Sequence, residues 1–185
     1  MKHARKSSER TRIVIGGTVA GAVALGTFAV VTANAGSSET AAVAADATDG
    51  NLMQSTHLTV EAATKAARAT LEAAEKENQR VSVAVVDRNG NTVVTLRGDG
   101  AGPQSYESAV KKAYTAVSWN APTSELVKRL QNAPTLKDIP GTLFLGGGAP
   151  VQAGGAPIAG IGVAGAPSGD LDEKFARAGA AVLNK

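Results

Sequence analysis

The strongest local pattern along the chain runs from Val81 to Leu96, with side chains taking opposite faces in turn. There two β-branched runs, VSVAVVD and TVVTL, flank Arg88-Asn89-Gly90-Asn91. Asn and Gly tolerate the positive φ of a tight turn, so this stretch predicts a β-hairpin. Val81, Val83 and Val85 share one face, and Ser82, Ala84 and Val86 share the other. Neither face carries a charge, which predicts a sheet covered on both sides.

Helical spacing replaces this alternation on either side of the hairpin. Val60, Ala63, Ala67, Leu71 and Ala74 form one stripe, with Glu61, Lys65, Arg68, Glu72, Glu75 and Lys76 opposite. Thr59 is placed to cap this helix, which runs to about Gln79. A second helix is predicted from Tyr106 to about Trp119, capped by Ser105. Ala109, Val110, Ala113, Ala116 and Val117 face inward there, and Glu107, Ser108, Lys111, Thr115 and Ser118 face outward. Thr123 or Ser124 starts a short helix to about Gln131, ended by Pro134. Residues 141–165 supply the remaining strands as TLFLG, APV and PIAGIGVAG, where dense Gly predicts closely approached backbones. Ser168 or Asp170 starts a last helix, about Leu171 to Leu183, with Phe175, Ala178, Ala180 and Val182 as its apolar content. Strands come in hairpin-like groups, which predicts an α+β fold: an antiparallel sheet of about five strands flanked by helices.

The N-terminal stretch follows another pattern. Residues 1–12 are basic, residues 13–31 are uncharged and mostly apolar, and Ala33-Asn34-Ala35 follows. This is the layout of a secretory signal cleaved after Ala35, and a retained anchor is the other reading of so long an apolar run. Arg10 and Arg12 are not adjacent, which argues against a twin-arginine signal. Either reading places the rest of the chain outside the cytoplasm, as a secreted or cell-surface protein. Residues 36–56, rich in Gly, Ser, Thr, Ala and Asp, are expected to form a flexible tail before a domain at 57–185.

Charge narrows the partners. The chain carries +3, but Lys2, Arg5, Lys6, Arg10 and Arg12 against Glu9 place +4 within residues 1–35. The remainder is about −1, so no nucleic-acid partner is expected. The absence of Cys excludes disulfides and thiolate metal sites.

Candidate chemistry is sparse. There is no G-x-S-x-G, and Gly146-Gly147-Gly148 and Gly154-Gly155 lack the Gly-Lys-Ser/Thr of a phosphate loop. The only histidine after the leader is His57. Glu72 and Glu75, three apart on a helix, project from one face toward a shared hard cation such as iron(III), calcium or magnesium. The alternative is a solvated face with Arg68–Glu72 and Glu72–Lys76 pairs. The Tyr106–Trp119 helix offers Tyr106 and Tyr114 as phenolate ligands for ferric haem, Lys111 and Lys112 as propionate partners, and Thr115 as a neutral oxygen. These residues equally suit a core edge and a solvent face.

Several motifs occur together in one order. They are Leu58-Thr59 opening an Ala-rich helix, VAVVDRNGN at 83–91, the Asp99-Gly100-Ala101 loop, Ser105 with Lys112-Ala113-Tyr114-Thr115-Ala116, and GGGAPV with GGAPIAGIGVAGA. Over about residues 57–183 this pattern resembles the GlcG/HbpS-like family. The leader and TAVSWNAPTSEL are most similar to its secreted haem-binding accessory members of actinobacteria. One departure is Gly98 before Asp99, where many members carry Met.

The resemblance implies haem and iron as ligands, a homo-oligomer (an octamer in such members), and a role beside a membrane sensor histidine kinase in redox or iron stress. It matches Thr115 to the family's hydroxyl ligand for haem iron, and Glu72 and Glu75 to its Glu-x-x-Glu iron site. On this reading the protein is not an enzyme. Thr115 or His57 contacts haem iron, with Tyr114 beside them, and Lys111 or Lys112 meets the propionates. The alternatives are a small-molecule or haem-degrading enzyme using Asp87 and Asp99 near Lys111 or Lys112, and a ligand-free oligomer that presents a surface to a membrane partner.

Overall fold

A computed structural model describes residues 44–184. The predicted leader, its cleavage site after Ala35 and the first part of the tail lie outside the described residues. The compact unit begins at Ala47. Its elements are α1 (Val60–Glu75), β1 (Ser82–Asp87), β2 (Thr92–Arg97), α2 (Pro103–Trp119), α3 (Thr123–Arg129), β3 (Gly148–Ala153), β4 (Ala156–Ala164) and α4 (Gly169–Ala181). Among the described residues no helix is long and apolar enough to cross a membrane.

The fold is α+β, as expected, but its antiparallel sheet has four strands, in the order β2-β1-β4-β3. The missing strand is TLFLG. Residues 142–146 form an irregular strap instead. The Leu143 N–H donates to Thr115 Oγ1 at 2.8 Å, and Phe144 stacks edge-on against Trp119 with centroids 5.2 Å apart. A side-chain acceptor and an aromatic partner on α2 take the place of a strand neighbour.

Both faces of the sheet are covered, for the reason visible in the hairpin. Val81, Val83 and Val85 join Ala159, Ile161 and Val163 under α1 and α4, where Ala63, Ala67 and Phe175 complete the core. Ala84 and Val86 meet Ala109, Ala113 and Val117 of α2 on the other face. In β4 the residues turned to α2 are Gly160 and Gly162. A Cβ on Gly162 would lie 2.0 Å from the Ala109 carbonyl oxygen. The helix therefore rests on bare backbone, and α2 is held unusually close to the sheet.

Boundaries differ from the sequence pattern where turn geometry intervenes. α1 stops at Glu75, because Asn78 takes a left-handed φ of 56° and the Gln79 N–H closes on the Ala74 carbonyl. Its stripe is shifted: Val60 is exposed, while Ala66 and Thr70 are buried against α4, where Gly179 admits Thr70. α2 starts earlier, at Pro103 behind Gly102, since Pro suits the first helical position. Ser105 is thereby freed from capping, and its hydroxyl meets Ser82 Oγ at 2.8 Å. In the hairpin turn only Gly90 takes positive φ, and the register slips between Val85 and Val86, giving a bulged, longer loop.

Nor do Thr123 and Ser124 cap α3. Thr123 Oγ1 accepts from the Gly148 N–H at 2.8 Å, and Ser124 donates its N–H and O–H to Glu173 of α4. Glu173 thus caps α3 from a distance of forty-nine residues in sequence. Burial pushes its carboxyl up, but hydrogen bonds from Arg177, Ser124 and the Gly147 N–H hold it below the usual carboxylate range. α4 is capped by Ser168, whose side chain accepts from the Leu171 N–H. Its inward residues are Phe175, Ala176 and Gly179, whereas Ala178 is exposed.

Candidate functional site

The hairpin turn gathers two of the predicted haem residues. Asp87 organises the turn: its Oδ1 accepts from the Asn89 and Asn91 N–H groups, both at 2.8 Å, and its Oδ2 accepts from Asn91 Nδ2 at 3.2 Å. Burial raises the Asp87 carboxyl. The Asn91 backbone, Asn91 side-chain and Asn89 backbone hydrogen bonds outweigh it, and with the His57 imidazole nearby the carboxyl sits below its usual range. His57 reaches this carboxylate just before α1, with Nδ1 3.9 Å from Asp87 Oδ2 and Nε2 2.6 Å from Ser55 Oγ. Tyr114 reaches the same turn from α2, its ring lying between Gly90 and Gly141. His57 and Tyr114 therefore border one turn, His57 on the side of α1 and Tyr114 on the side of α2.

The other members of the predicted set separate. Lys111 is half-buried on α2 and pairs with Glu107 at 2.6 Å, one turn from Thr115. Thr115 is fully buried. Its hydroxyl donates to the Lys111 carbonyl at 2.7 Å and accepts from Leu143, so both hydrogen-bonding capacities are used inside the fold. Lys112 points the opposite way. Its ammonium, 2 % exposed, donates to Asp172 Oδ2 at 2.7 Å and to the Val163 carbonyl at 3.0 Å. Asp172 Oδ1 in turn accepts from the Ala166 N–H at 3.0 Å. Lys112 ties α2 to β4 and α4 and does not face a ligand in this conformation. The Asp172 and Glu173 partnerships were not readable from sequence, since they join residues sixty and forty-nine positions apart with no local spacing to signal it.

Glu72 and Glu75 stand exposed on α1, away from the hairpin turn. The i,i+4 pairs Arg68–Glu72 and Glu72–Lys76 do not form. Both carboxylates line a cleft of about 310 Å³ with Arg68, Leu71 and Leu96. Among the described residues no cluster of three or more His, Cys, Asp or Glu gathers as a metal site. The pair offers two hard oxygen donors to a cation whose remaining ligands come from water or another molecule.

Two donor types suit haem, an imidazole at the hairpin turn and an ammonium on α2. An exposed imidazole with a carboxylate beside its second nitrogen suits ferric iron. The half-buried Lys111 is the reachable ammonium for a propionate; Lys112 is spent inside the fold.

Comparison with known proteins shows the family and the fold. The family model described as haem degrading protein HbpS-like matches residues 58–181. The crystal structure of a Streptomyces reticuli HbpS double mutant, with two glutamates three positions apart changed to aspartate, is 79% identical with a TM-score of 0.76. The match covers 77% of this chain and 98% of that one. The crystal structure of a PduOC–haem complex is 30% identical with a TM-score of 0.64, covering 70% of this chain and 96% of that one. The corrinoid adenosyltransferase PduO of Citrobacter freundii is 32% identical over 122 residues, and the matched part is 36% of its length.

Proposed function

We propose that this chain, which belongs to the HbpS-like family, is a haem-binding protein that works outside the cytoplasm as an accessory to a membrane sensor kinase. The observation that carries the haem reading is the relative with the same fold whose crystal structure is a complex with haem. In this chain His57 is the iron-side ligand, Tyr114 borders the same hairpin turn from the α2 side, Lys111 stands one helical turn from Thr115 on α2, and Thr115 holds the strap at Leu143. Bound haem would supply redox and oxygen chemistry, and the chain's own residues hold and orient it. Secretion follows from the leader pattern. A homo-oligomer, an octamer as the family resemblance implies, is supported by the exposed Leu52, Met53 and Val60 ahead of and within α1.

Iron binding is the second part of the proposal. Glu72 and Glu75 are the only glutamates three positions apart in this chain, matching the spacing of the pair altered in the S. reticuli HbpS double mutant. A second reading, a haem-degrading enzyme, is favoured by the family description itself.

A haem titration followed by absorbance tests the proposal. A saturable Soret band at micromolar haem is the expected result, and a spectrum matching free haem contradicts it. Loss of that band on adding a reductant in the presence of dioxygen, with release of an open-chain tetrapyrrole, selects the degrading enzyme. In a parallel iron titration, Glu72→Gln with Glu75→Gln is expected to lower affinity at least tenfold. Unchanged affinity removes the carboxylate pair from the account.

A further inference from the structure

We propose that Asp87 is a positioning residue for His57: it keeps the imidazole proton on Nδ1, so that Nε2 is the nitrogen presented to haem iron. The inference rests on the haem reading above and deepens it. The two oxygens of Asp87 divide their work. Oδ1 takes the Asn89 and Asn91 backbone N–H groups, at 2.8 Å each. Oδ2 has one longer bond, 3.2 Å to Asn91 Nδ2, and otherwise faces His57 Nδ1 at 3.9 Å.

An anionic oxygen at that distance disfavours a lone pair on Nδ1 and favours a proton there. The contact at the opposite nitrogen is compatible with that tautomer, since a hydroxyl donates or accepts. Ser55 Oγ lies 2.6 Å from Nε2, and in the Nδ1–H tautomer the serine hydroxyl donates to the Nε2 lone pair. Ser55 thus holds the ligating direction until iron replaces its hydrogen bond. A histidine that binds metal through one nitrogen commonly has the other held by a carboxylate, and loss of that partner lowers metal affinity about 10- to 100-fold. The turn makes the carboxylate rigid, so the orientation of His57 is inherited from the hairpin.

The test uses Asp87→Asn, which keeps an oxygen acceptor for the turn and removes the charge; an unchanged Tm confirms that the hairpin is retained. In the haem-free chain, nitrogen NMR of the imidazole reads the tautomer directly, and His57→Ala identifies the signal, since the chain has only two histidines. The wild type is expected to show the Nδ1–H form and Asp87→Asn a shift toward Nε2–H. With haem, the variant is expected to bind about 10-fold more weakly and to show a raised ferric–ferrous midpoint potential. Identical imidazole signals in the haem-free wild type and variant overturn the inference. A wild type that fails to bind haem overturns the haem reading instead, so the two failures are told apart.

Discussion

Lys112→Met is expected to destabilise the domain by about 3–5 kcal/mol, because it strands a buried charge. Asp172 is 4 % exposed, and its Oδ2 has Lys112 as its partner. The Val163 carbonyl loses a donor in the same change. Burial already pushes the Asp172 carboxyl up, with the Lys112 ammonium pulling it back. Without Lys112 the upward push is unopposed. A carboxyl raised in the folded state binds a proton more tightly there than in the unfolded chain. The deficit should therefore be smallest at low pH and grow as pH rises above the ordinary aspartate range, through the raised folded-state values. Removing both charges, Lys112→Met with Asp172→Asn, is expected to recover much of the loss, since the amide oxygen still accepts from the Ala166 N–H and no buried charge is left unpaired. Chemical denaturation of the single and double variants at two pH values checks this. A double variant less stable than Lys112→Met would show that the ion pair is not the source of the cost.

Gly162→Ala should be nearly as damaging, although it adds one methyl group. The new Cβ would meet the Ala109 carbonyl oxygen at 2.0 Å and the Ala113 nitrogen at 2.5 Å. Both are helix backbone, so no side chain can swing aside, and α2 must lift from β4 along its length. Ordinary overpacking costs about 1–3 kcal/mol, and a backbone clash of this depth belongs at or above the top of that range. A fall in Tm on the order of 10 °C follows. Since α2 carries Lys111, Tyr114 and Thr115, haem affinity should fall with stability. Gly50→Ala, whose Cβ meets nothing within 4 Å, is the neutral comparison. Equal Tm values for the two variants would contradict the close approach of α2 to the sheet.

The hairpin and the helices were legible because their burial repeats at short range. The uncharged run at Val81–Val86 announced a sheet covered on both faces, and the glycines of PIAGIGVAG announced a close approach that Gly160 and Gly162 make to α2. TLFLG misled because the Leu143 N–H is taken by Thr115 and the Phe144 ring by Trp119, both on α2, and not by a neighbouring strand. Val60 misled because the stripe of α1 is rotated toward Ala66 and Thr70 to meet Gly179. In the candidate site, adjacent lysines looked alike in sequence, yet Lys111 faces outward and Lys112 is buried by a carboxylate sixty residues away. His57 and Asp87 were each visible as lone residues. Their approach depends on how the segment before α1 crosses the hairpin turn, which no local pattern encodes.

The most direct test of the central claim is the Soret spectrum of His57→Ala set beside the wild type and Thr115→Ala at saturating haem. If His57 holds the iron, its loss shifts the band and weakens binding by at least tenfold. Thr115→Ala should give smaller changes, in step with its lost hydrogen bond to Leu143. A His57→Ala spectrum and affinity equal to the wild type would contradict the account and move the haem site away from the hairpin turn.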